Sequence, residues 1–353
     1  MNYLEGDTQL LKAIVKQRAE AGADFVDLPE PEIGNREILV RVKACSVCGT
    51  DVHIYDYNAW AKSKVKIPVI IGHEFSGEVV EVGKEVDSVQ IGDHVSGETH
   101  IPCFKCEQCR KGNYHICENL RLRGVDVNGC FAEYLAMDAF TAWKNPKEIP
   151  HEVASVQEPL GNAVHTVFEG GGVEGKVVAI FGCGPIGMAA AAVCKASGAE
   201  KVIAVDISEY RLKLASNMGA DILVNPNREE PLKSISDATK GKGVDVFLEM
   251  AGVQQTLSWG LKALKPGGRA ALLGIYDSSV SVDVSNDIVM KNIEVRGIFG
   301  RRMFADWYTV SSYLRSGKVD LTKLITHEFP LNQFQKAFEV MKSGKSGKVV
   351  MKP

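Results

Sequence analysis

The sequence has no excess of charge of either sign and no basic block. Its 353 residues include 41 Lys and Arg against 44 Asp and Glu, a net charge of −3 at pH 7. A near-neutral chain without a basic cluster offers no electrostatic footprint for nucleic acid. Hydrophobic residues at 45% and charged residues at 24% argue against disorder. At roughly 150 residues per domain, the length predicts about two domains.

The sequence also shows neither a secretory signal nor the cysteine pattern of a disulfide framework. Met1–Asp7 contains neither a basic region nor an apolar core of the kind that directs secretion. The nine cysteines are an odd number, and without a signal an extracellular disulfide scaffold is disfavoured. We therefore expect a cytoplasmic protein whose clustered cysteines have another purpose.

No segment predicts a membrane span. The uncharged run Val177–Cys194 is at the short limit for crossing a bilayer. However, three glycines and Pro185 in its middle would break a continuous helix. A buried strand, a glycine turn and a buried helix explain the run better, so no membrane partner is expected.

The chain changes character near Glu158. Before it, short segments of strand type are separated by Gly, Pro and Asp turn signals, and no amphipathic helix of four turns is present. These segments are Ile38–Lys43, Gly77–Val82 and Asp93–Ser96. The pattern predicts a β-rich first unit.

After Glu158, six apolar runs alternate with helical spacing such as that of Glu209–Met218 and Gln255–Leu264. The runs are Val177–Phe181, Val202–Asp206, Ile222–Asn225, Val244–Glu249, Ala270–Leu273 and Ile293–Gly297. They predict an α/β fold with a doubly wound parallel sheet. The C-terminal part of the chain predicts two helices and a strand, at Ala305–Ser316, Phe334–Ser343 and Lys348–Met351.

A glycine motif, Gly182-Cys-Gly184-Pro-Ile-Gly187, follows the first apolar run and opens an Ala-rich helix. Its glycines permit a tight turn, a close pyrophosphate and close packing of helix and strand. Asp206 ends the second apolar run, where an acceptor for ribose hydroxyls belongs. Its charge favours NAD over NADP, although Arg211 could face a 2′-phosphate or stack on the adenine. The alternative is an α/β turn that binds nothing.

Four cysteines lie close together in one short segment: Cys103, Cys106, Cys109 and Cys117. Four soft ligands this close suit one tetrahedral Zn²⁺, and four thiolates leave no open position for chemistry. We therefore interpret this lobe as a structural zinc site that stabilises a polar loop. An iron–sulfur cluster is the alternative for closely spaced cysteines.

Cys48, His73 and Glu74 form a second candidate metal set. Three protein ligands with an open fourth position are typical of catalytic zinc. In a chain with a dinucleotide fold, such a site polarises an alcohol oxygen while nicotinamide accepts a hydride from the same carbon. Thr50 and His53 closely follow Cys48 in the chain and are candidates for a proton relay to solvent.

The stretch Gly72-His73-Glu74-x2-Gly77-x5-Gly83-x2-Val86 resembles the signature of the zinc-containing medium-chain alcohol dehydrogenases. The resemblance covers essentially the whole chain. It implies a β-rich GroES-like catalytic domain of residues 1–157 and 298–353, and an NAD-binding Rossmann domain of residues 158–297. Four more stretches favour the branch that oxidises L-threonine: Cys48–Tyr55, Tyr57–Trp60, Gly97–His100 and Gln157–Asn162.

The resemblance also implies roles for single residues. Cys48, His73 and Glu74 match catalytic zinc ligands, and the four clustered cysteines match the structural zinc set. Glu158 stands where other members have a second Cys ligand, and it could ligate zinc, hold a zinc-bound water or join the relay. The implied NAD contacts are Gly182, Gly184, Ile186, Gly187, Asp206, Arg211, Leu273, Gly274, Ile275, Ile298 and Phe299.

On this resemblance we expect oxidation of L-threonine at C3 to 2-amino-3-oxobutyrate, with NAD reduced to NADH. The proton is expected to leave through Thr50, the cofactor ribose and His53. The substrate contacts expected are Cys48, Thr50, Glu158 and His100. His100 is the candidate for substrate discrimination, and a hydrogen-bonded loop histidine is its alternative.

Two rival functions use the same features. A polyol dehydrogenase acting on sorbitol or butane-2,3-diol shares the Cys, His and Glu metal set. A non-catalytic NAD-binding regulator would keep the fold but predicts a damaged metal set, whereas all the ligands are present. The stretch Tyr57–Trp60 and His100 favour threonine over the polyols.

The resemblance implies a homotetramer and functional coupling to a ligase that cleaves 2-amino-3-oxobutyrate. Independently, Val280, Val282 and Val284 alternate with polar residues. The segment Ser279–Val284 is therefore predicted to be an edge strand that pairs across a two-fold axis. The alternative is an ordinary edge strand in a monomer.

Overall fold

A computed structural model describes residues 10–353, and their contacts divide into two compact units. The first runs to Glu158 and adds His327–Ser343 and Lys348–Pro353, while the second comprises Pro159–Thr326 and Gly344–Gly347. The second unit thus includes residues 298–326, which the expected domain limits place with the first. The Tyr313 hydroxyl, for example, hydrogen-bonds Ser197 at 2.8 Å. The limits 1–157, 158–297 and 298–353 stay a prediction about functional domains.

The first unit is rich in β-structure, as expected. Its strands up to residue 158 are β1 Leu10–Lys16, β2 Asp24–Pro29, β3 Glu37–Ser46, β4 Val69–Ile70, β5 Glu74–Val82, β6 His94–Gly97, β7 His100–Ile101, β8 Arg121–Leu122, β9 Tyr134–Asp138 and β10 Ala142–Lys144. Its helices are short: α1 Gly49–Asp56, α2 Ala59–Lys64, α3 Glu107–Arg110 and α4 His151–Ser155. A longer helix, α5 Gln157–Phe168, leads into the second unit.

The second unit alternates strands and helices. Its strands are β11 Val177–Phe181, β12 Lys201–Val205, β13 Ile222–Val224, β14 Val244–Glu249, β15 Leu264–Leu272 and β16 Glu294–Gly297. Its helices are α6 Pro185–Ala196, α7 Glu209–Asn217, α8 Pro231–Ala238, α9 Gln254–Ala263 and α10 Ala305–Arg315. The chain then adds β17 Ile325–Pro330, α11 Phe334–Lys342 and β18 Lys348–Lys352.

The six strands of the second unit lie in the order β13-β12-β11-β14-β15-β16, and the paired strands are parallel. This is the doubly wound order with its reversal between β11 and β14, where ligands bind beyond the carboxyl ends of the strands. Each predicted apolar run coincides with one of these strands. The uncharged run Val177–Cys194 becomes β11, a glycine turn and α6, and no helix among residues 10–353 is long and apolar enough to span a membrane.

Strand β3 is the centre of the first unit. It pairs with β5, β9 and the late strand β18 in a seven-stranded sheet. Because the sheet is covered on both faces, Ile38–Val40 forms a continuous buried run instead of an alternating one. Phe75, Phe131 and Phe338 pack into the same core, and each such side chain contributes about 1.5–3 kcal/mol on burial.

The prediction of an edge strand at Ser279–Val284 is wrong. The side-chain amide of Gln254 accepts from the Ser281 N–H at 2.6 Å and donates to the Ser281 carbonyl at 2.7 Å. These two bonds satisfy the backbone groups that a neighbouring strand would use, while Val280 and Val282 pack on the core of the unit. The strand at this edge of the sheet is β16.

Candidate active site

Cys48, His73 and Glu74 converge in the first unit. Their potential ligand atoms all lie within 4.8 Å of one another. Cys48 precedes α1, Glu74 begins β5 and His73 comes directly before it, so a helix and a strand position the group. A thiol, an imidazole and a carboxylate are ligand types that zinc accepts.

The Asp51 carboxylate contacts two members of this group, Cys48 and His73. One of its carboxylate oxygens accepts the Cys48 N–H at 2.8 Å, and the other lies 3.5 Å from His73 Nδ1. Because Nδ1 faces Asp51, Nε2 is the ring nitrogen left for a metal. Burial raises the pKa of Asp51 to about 6. Burial alone lowers the pKa of His73, but the charges of Asp51 and other neighbours raise it to about 10.

The hydrogen bonds of the Glu74 carboxylate leave one of its oxygens for a cation. One oxygen, Oε2, accepts from Ser46 Oγ and Lys348 Nζ, whereas Oε1 is buried without a hydrogen-bond partner in the described part of the chain. Buried acceptors are normally satisfied, so an unpartnered carboxylate oxygen beside a thiol and an imidazole is consistent with a missing cation. The residues present therefore fit a zinc ion.

Glu158 lies outside this three-residue group. It is 5% exposed, and its Oε1 accepts from the Thr99 hydroxyl at 2.6 Å. Its charge nevertheless acts on His73, whose pKa it raises. Thr99 therefore holds Glu158 close enough to influence the metal ligands, and the choice among ligand, water holder and relay member stays open.

The two candidate relay residues are both on α1. Thr50 Oγ1 lies 3.9 Å from Cys48 Sγ. The ring of His53 is exposed, and its Nδ1 lies 2.9 Å from the side-chain nitrogen of Asn58. The Asn58 oxygen accepts the Ala61 N–H, which fixes the amide orientation and makes Nδ1 an acceptor. Neutral His53 therefore has its proton on Nε2.

His100 is a buried, hydrogen-bonded residue of β7. Its backbone N–H and Nδ1 both contact Glu98 Oε1, at 3.1 and 2.8 Å. Glu98 is fully buried and lies just before β7. These bonds match the alternative interpretation of a hydrogen-bonded histidine, and a role in substrate discrimination stays a prediction.

The four clustered cysteines come together as expected. Their sulfurs lie within 4.8 Å of one another, and Cys106 and Cys117 are 3.8 Å apart. Tetrahedral zinc with Zn–S bonds of about 2.3 Å requires sulfurs about 3.8 Å apart. The backbone N–H of Lys105 lowers the pKa of Cys103 to about 6, whereas burial raises that of Cys109 to about 12. All nine cysteines of the chain are free thiols.

The glycine motif has the expected geometry in the second unit. Gly182 has a φ of +97°, which side chains rarely adopt. A Cβ at Gly187 would lie 2.0 Å from the Gly182 carbonyl oxygen, so only glycine lets helix and strand pack this closely. A Cβ at Gly184 would meet nothing within 4 Å, which leaves space for phosphate at the start of α6.

Asp206 and Arg211 border a cavity of about 470 Å³ that also includes Gly182 and Gly184. The Asp206 carboxylate accepts the N–H groups of Cys183 at 2.7 Å and Ser208 at 2.8 Å. It thus anchors the glycine loop and also lines the cavity. Arg211 Nε is buried without a hydrogen-bond partner among residues 10–353. The cavity fits the adenosine part of a dinucleotide.

The other predicted NAD contacts do not border this cavity. Ile186 lies in the first turn of α6, Leu273–Ile275 follow β15, and Ile298–Phe299 follow β16. All of them lie at the carboxyl ends of the parallel strands, where this fold binds ligands.

Sequence reasoning missed Glu249, at the end of β14. Its carboxylate is fully buried and accepts the N–H groups of Ala251 and Gly252 at 3.0 Å and the Thr256 hydroxyl at 2.8 Å. It thereby holds the loop that forms one wall of the adenosine cavity. The signal in the sequence was an acidic residue at the end of a predicted strand, followed three residues later by Gly252.

Comparisons with known proteins agree with this geometry. Residues 34–147 match the alcohol dehydrogenase GroES-like domain, and residues 185–316 match the zinc-binding dehydrogenase family. The L-threonine 3-dehydrogenase of Bacillus licheniformis is 50% identical over 343 residues, which cover 97% of this chain and 99% of the relative. That of Thermococcus kodakarensis is 49% identical, with 97% and 98% covered.

Among solved structures, the 2R,3R-butanediol dehydrogenase of Bacillus subtilis matches with a TM-score of 0.89 and 30% identity, covering 97% of this chain and 99% of the other. The chain belongs to the zinc-containing medium-chain alcohol dehydrogenase family. This medium-chain dehydrogenase is an enzyme that uses zinc and NAD. Its family, fold class and cofactors are therefore confirmed, while the roles of single residues stay predictions.

Proposed function

We propose that this medium-chain dehydrogenase oxidises the C3 hydroxyl of L-threonine to 2-amino-3-oxobutyrate and reduces NAD to NADH. The observation that carries the proposal is identity near 50% to L-threonine 3-dehydrogenases along nearly the whole chain. The metal group of Cys48, His73 and Glu74 and the Asp206 loop supply the two parts that this chemistry requires.

Cys48, His73 and Glu74 would hold the catalytic zinc, which when bound would supply a Lewis acid for the alcohol oxygen of the substrate. Thr50, whose Oγ1 lies 3.9 Å from Cys48 Sγ, would accept the hydroxyl proton and pass its own proton on through the cofactor ribose towards His53. His53 passes a proton to solvent, because its ring is exposed and Asn58 holds its orientation. Glu158, held by Thr99, adds negative charge that favours a cationic substrate group.

The second unit would hold NAD, which when bound would supply the acceptor for the hydride of C3. In the second unit, Gly182, Gly184 and Gly187 bring the backbone close to the pyrophosphate. Asp206 accepts from the ribose hydroxyls and disfavours a 2′-phosphate by charge repulsion. We assign these NAD contacts to residues 158–297, and zinc and substrate to residues 1–157 with 298–353.

The test is the initial rate of NADH formation with L-threonine, beside sorbitol and (2R,3R)-butane-2,3-diol, in zinc-supplemented buffer. We expect kcat/KM for L-threonine to exceed that for either diol by at least about 100-fold, because a site in which Glu158 pairs with the ammonium group rejects analogues that lack it. L-Serine, which lacks only the methyl group, is a matched control and should lose about 10- to 200-fold. Turnover with the diols alone would assign the enzyme to the polyol branch.

A butanediol dehydrogenase is the second candidate, favoured by the match to the solved structure from Bacillus subtilis. Its 30% identity is well below the 50% identity to a threonine enzyme, so threonine is the preferred substrate. The same rate measurements decide between the two.

The proposal extends to a cytoplasmic homotetramer that is coupled in function to a ligase. The product is an unstable β-keto acid, so an enzyme that cleaves it promptly would prevent its loss by decarboxylation. Light scattering tests the assembly, and the mass of a single chain would contradict the tetramer. Glycine formation from threonine by the two purified enzymes tests the coupling, which fails if free product accumulates equally with and without the ligase.

A further inference from the structure

The first unit contains a second cavity, of about 520 Å³. Its lining includes Cys103 of the four-cysteine group but none of the residues assigned above to the catalytic metal, the substrate or NAD. Much of its wall is apolar and is formed by Leu11, Leu28 and Ile70. The volume lies within the range of about 300–1,000 Å³ that is typical of small-molecule sites.

Arg123 lines this cavity and is only 2% exposed. It follows β8, where its backbone N–H donates to the Thr99 carbonyl at 3.0 Å. Among residues 10–353 its guanidinium forms no ion pair within 4 Å, and its buried Nε has no hydrogen-bond partner. Burial lowers the pKa of Arg123 to about 10. The fully buried Glu98 acts on Arg123 by its charge, as Glu37 and Asp138 do more weakly, but no carboxylate of the described residues contacts the guanidinium. A buried donor without an acceptor is unfavourable, so this side chain indicates a ligand.

The acidic side chains in the same wall are already occupied. Glu37 accepts the Gly34 N–H at 2.8 Å, and Asp138 accepts the Phe140 N–H at 2.8 Å. Their charges reach Arg123 only at longer range and would repel a dianion such as phosphate. Arg121, in β8 two residues before Arg123, also lines the cavity but is exposed.

We propose that this cavity binds a small organic monocarboxylate with an apolar tail. The planar guanidinium of Arg123 accepts a carboxylate in a bidentate pair, which a single negative charge satisfies. Leu11, Leu28 and Ile70 cover the tail and exclude water from the ion pair. The site is separate from the proposed threonine oxidation and stands or falls independently of it.

Hexanoate is the test probe, titrated calorimetrically into the zinc-loaded enzyme. We expect saturable binding to the wild type, weakened at least about tenfold by Arg123→Met, because the charge-assisted hydrogen bonds are lost. Arg121→Met removes an exposed arginine of the same cavity and should change the affinity less than about threefold. Hexan-1-ol, which lacks the charge, should bind no better to the wild type than to Arg123→Met.

Three controls make the outcome decisive. Without hexanoate, Arg123→Met should unfold within a few degrees of the wild type, because it loses the longer-range attraction of Glu98 but no direct hydrogen bond or ion pair of the guanidinium. A marked drop would reveal a structural partner and overturn the proposal. Cys48→Ser should still bind hexanoate, since loss of binding would place the acid at the catalytic metal. Absence of saturable binding to the wild type, or equal binding by Arg123→Met, also overturns the proposal.

Discussion

Lys348 and Glu74 form a buried ion pair next to the candidate catalytic metal site. Lys348 Nζ donates to Glu74 Oε2 and to the Val47 carbonyl at 3.0 Å, and both charged side chains are almost completely buried. Burial alone lowers the pKa of Lys348, but the charge and hydrogen bond of Glu74, together with the charges of Cys48 and Glu158, outweigh it and raise the pKa. The lysine therefore stays charged and fixes the carboxylate that the proposed metal site uses.

Lys348→Met should destabilise the first unit by about 3–5 kcal/mol, because it leaves the Glu74 carboxylate buried without a counter-charge. Lys352→Met is the matched control, since Lys352 is on the same strand and pairs with Glu152 and Glu328 at the surface. It should cost less than about 1 kcal/mol. Urea unfolding monitored by tryptophan fluorescence measures both, and equal midpoints for the two variants would argue against the buried pair.

His53→Ala should lower kcat about 100-fold while the zinc content is unchanged, because the variant loses the exposed end of the proton relay. His327→Ala removes a histidine of β17 in the same unit and should leave kcat within about twofold of the wild type. Steady-state rates and zinc analysis of the same samples separate a relay role from a metal-binding role. An unchanged kcat in His53→Ala refutes the relay.

Cys106→Ser should lose one of the two expected zinc ions and lower the melting temperature, because a structural zinc site contributes directly to folding stability. Cys194→Ala replaces a buried cysteine of α6 that belongs to neither metal group and should retain both ions. Metal analysis after gel filtration, with scanning calorimetry, reports both effects. Full zinc content in Cys106→Ser would exclude the four-sulfur site.

Asp206→Asn should raise the KM for NAD about tenfold and shift the NADP-to-NAD ratio of kcat/KM upward by at least about tenfold. The substitution keeps the size of the side chain but removes the charge that repels a 2′-phosphate. Asp237→Asn, at an exposed surface pair with Lys233, is the control and should leave both cofactors unaffected. A cofactor ratio that does not change would contradict the ribose contact.

The protein should lose stability in mild acid through His94. Burial above all, with the nearby His151, lowers the pKa of His94 from 6.5 to about 4 in the folded protein. The unfolded chain therefore takes up a proton first, so stability is lost as the pH falls from about 6.5 towards 4, by up to about 3 kcal/mol. His94→Gln should flatten this dependence in urea titrations between pH 7.5 and 5, and an unchanged slope would contradict it.

Local pattern predicted the second unit well. Buried parallel strands are continuous apolar runs, and the limits predicted for Val244–Glu249 are those of the strand itself. The predicted helical segment Gln255–Leu264 differs from α9 by one residue at each end, because helix ends depend on capping geometry. The alternating valines, in contrast, gave a wrong prediction of a strand at Ser279–Val284. There the side-chain amide of Gln254 forms the hydrogen bonds of the Ser281 backbone that a neighbouring strand would form. A side chain from a distant segment leaves no trace in local periodicity.

The metal groups could be predicted where their ligands are close in sequence or form a known motif. The cysteines of the lobe lie within one short segment, and His73 and Glu74 are adjacent. The supporting contacts could not be predicted in the same way. Lys348 reaches Glu74 only because β18 pairs with β3. The pairing of two strands that are far apart in the chain cannot be predicted from the spacing of residues within either segment.

The pairing of β18 with β3 also constrains the order of events during synthesis. Residues 348–352 fill a position inside the sheet of the first unit, so this sheet stays incomplete while the ribosome is still making the segment from 159 to 347. The second unit is nearly continuous in the chain and can fold during that interval. Glu74 gains its counter-charge only when Lys348 emerges, so we expect stable loading of the proposed metal site to be a late step of maturation.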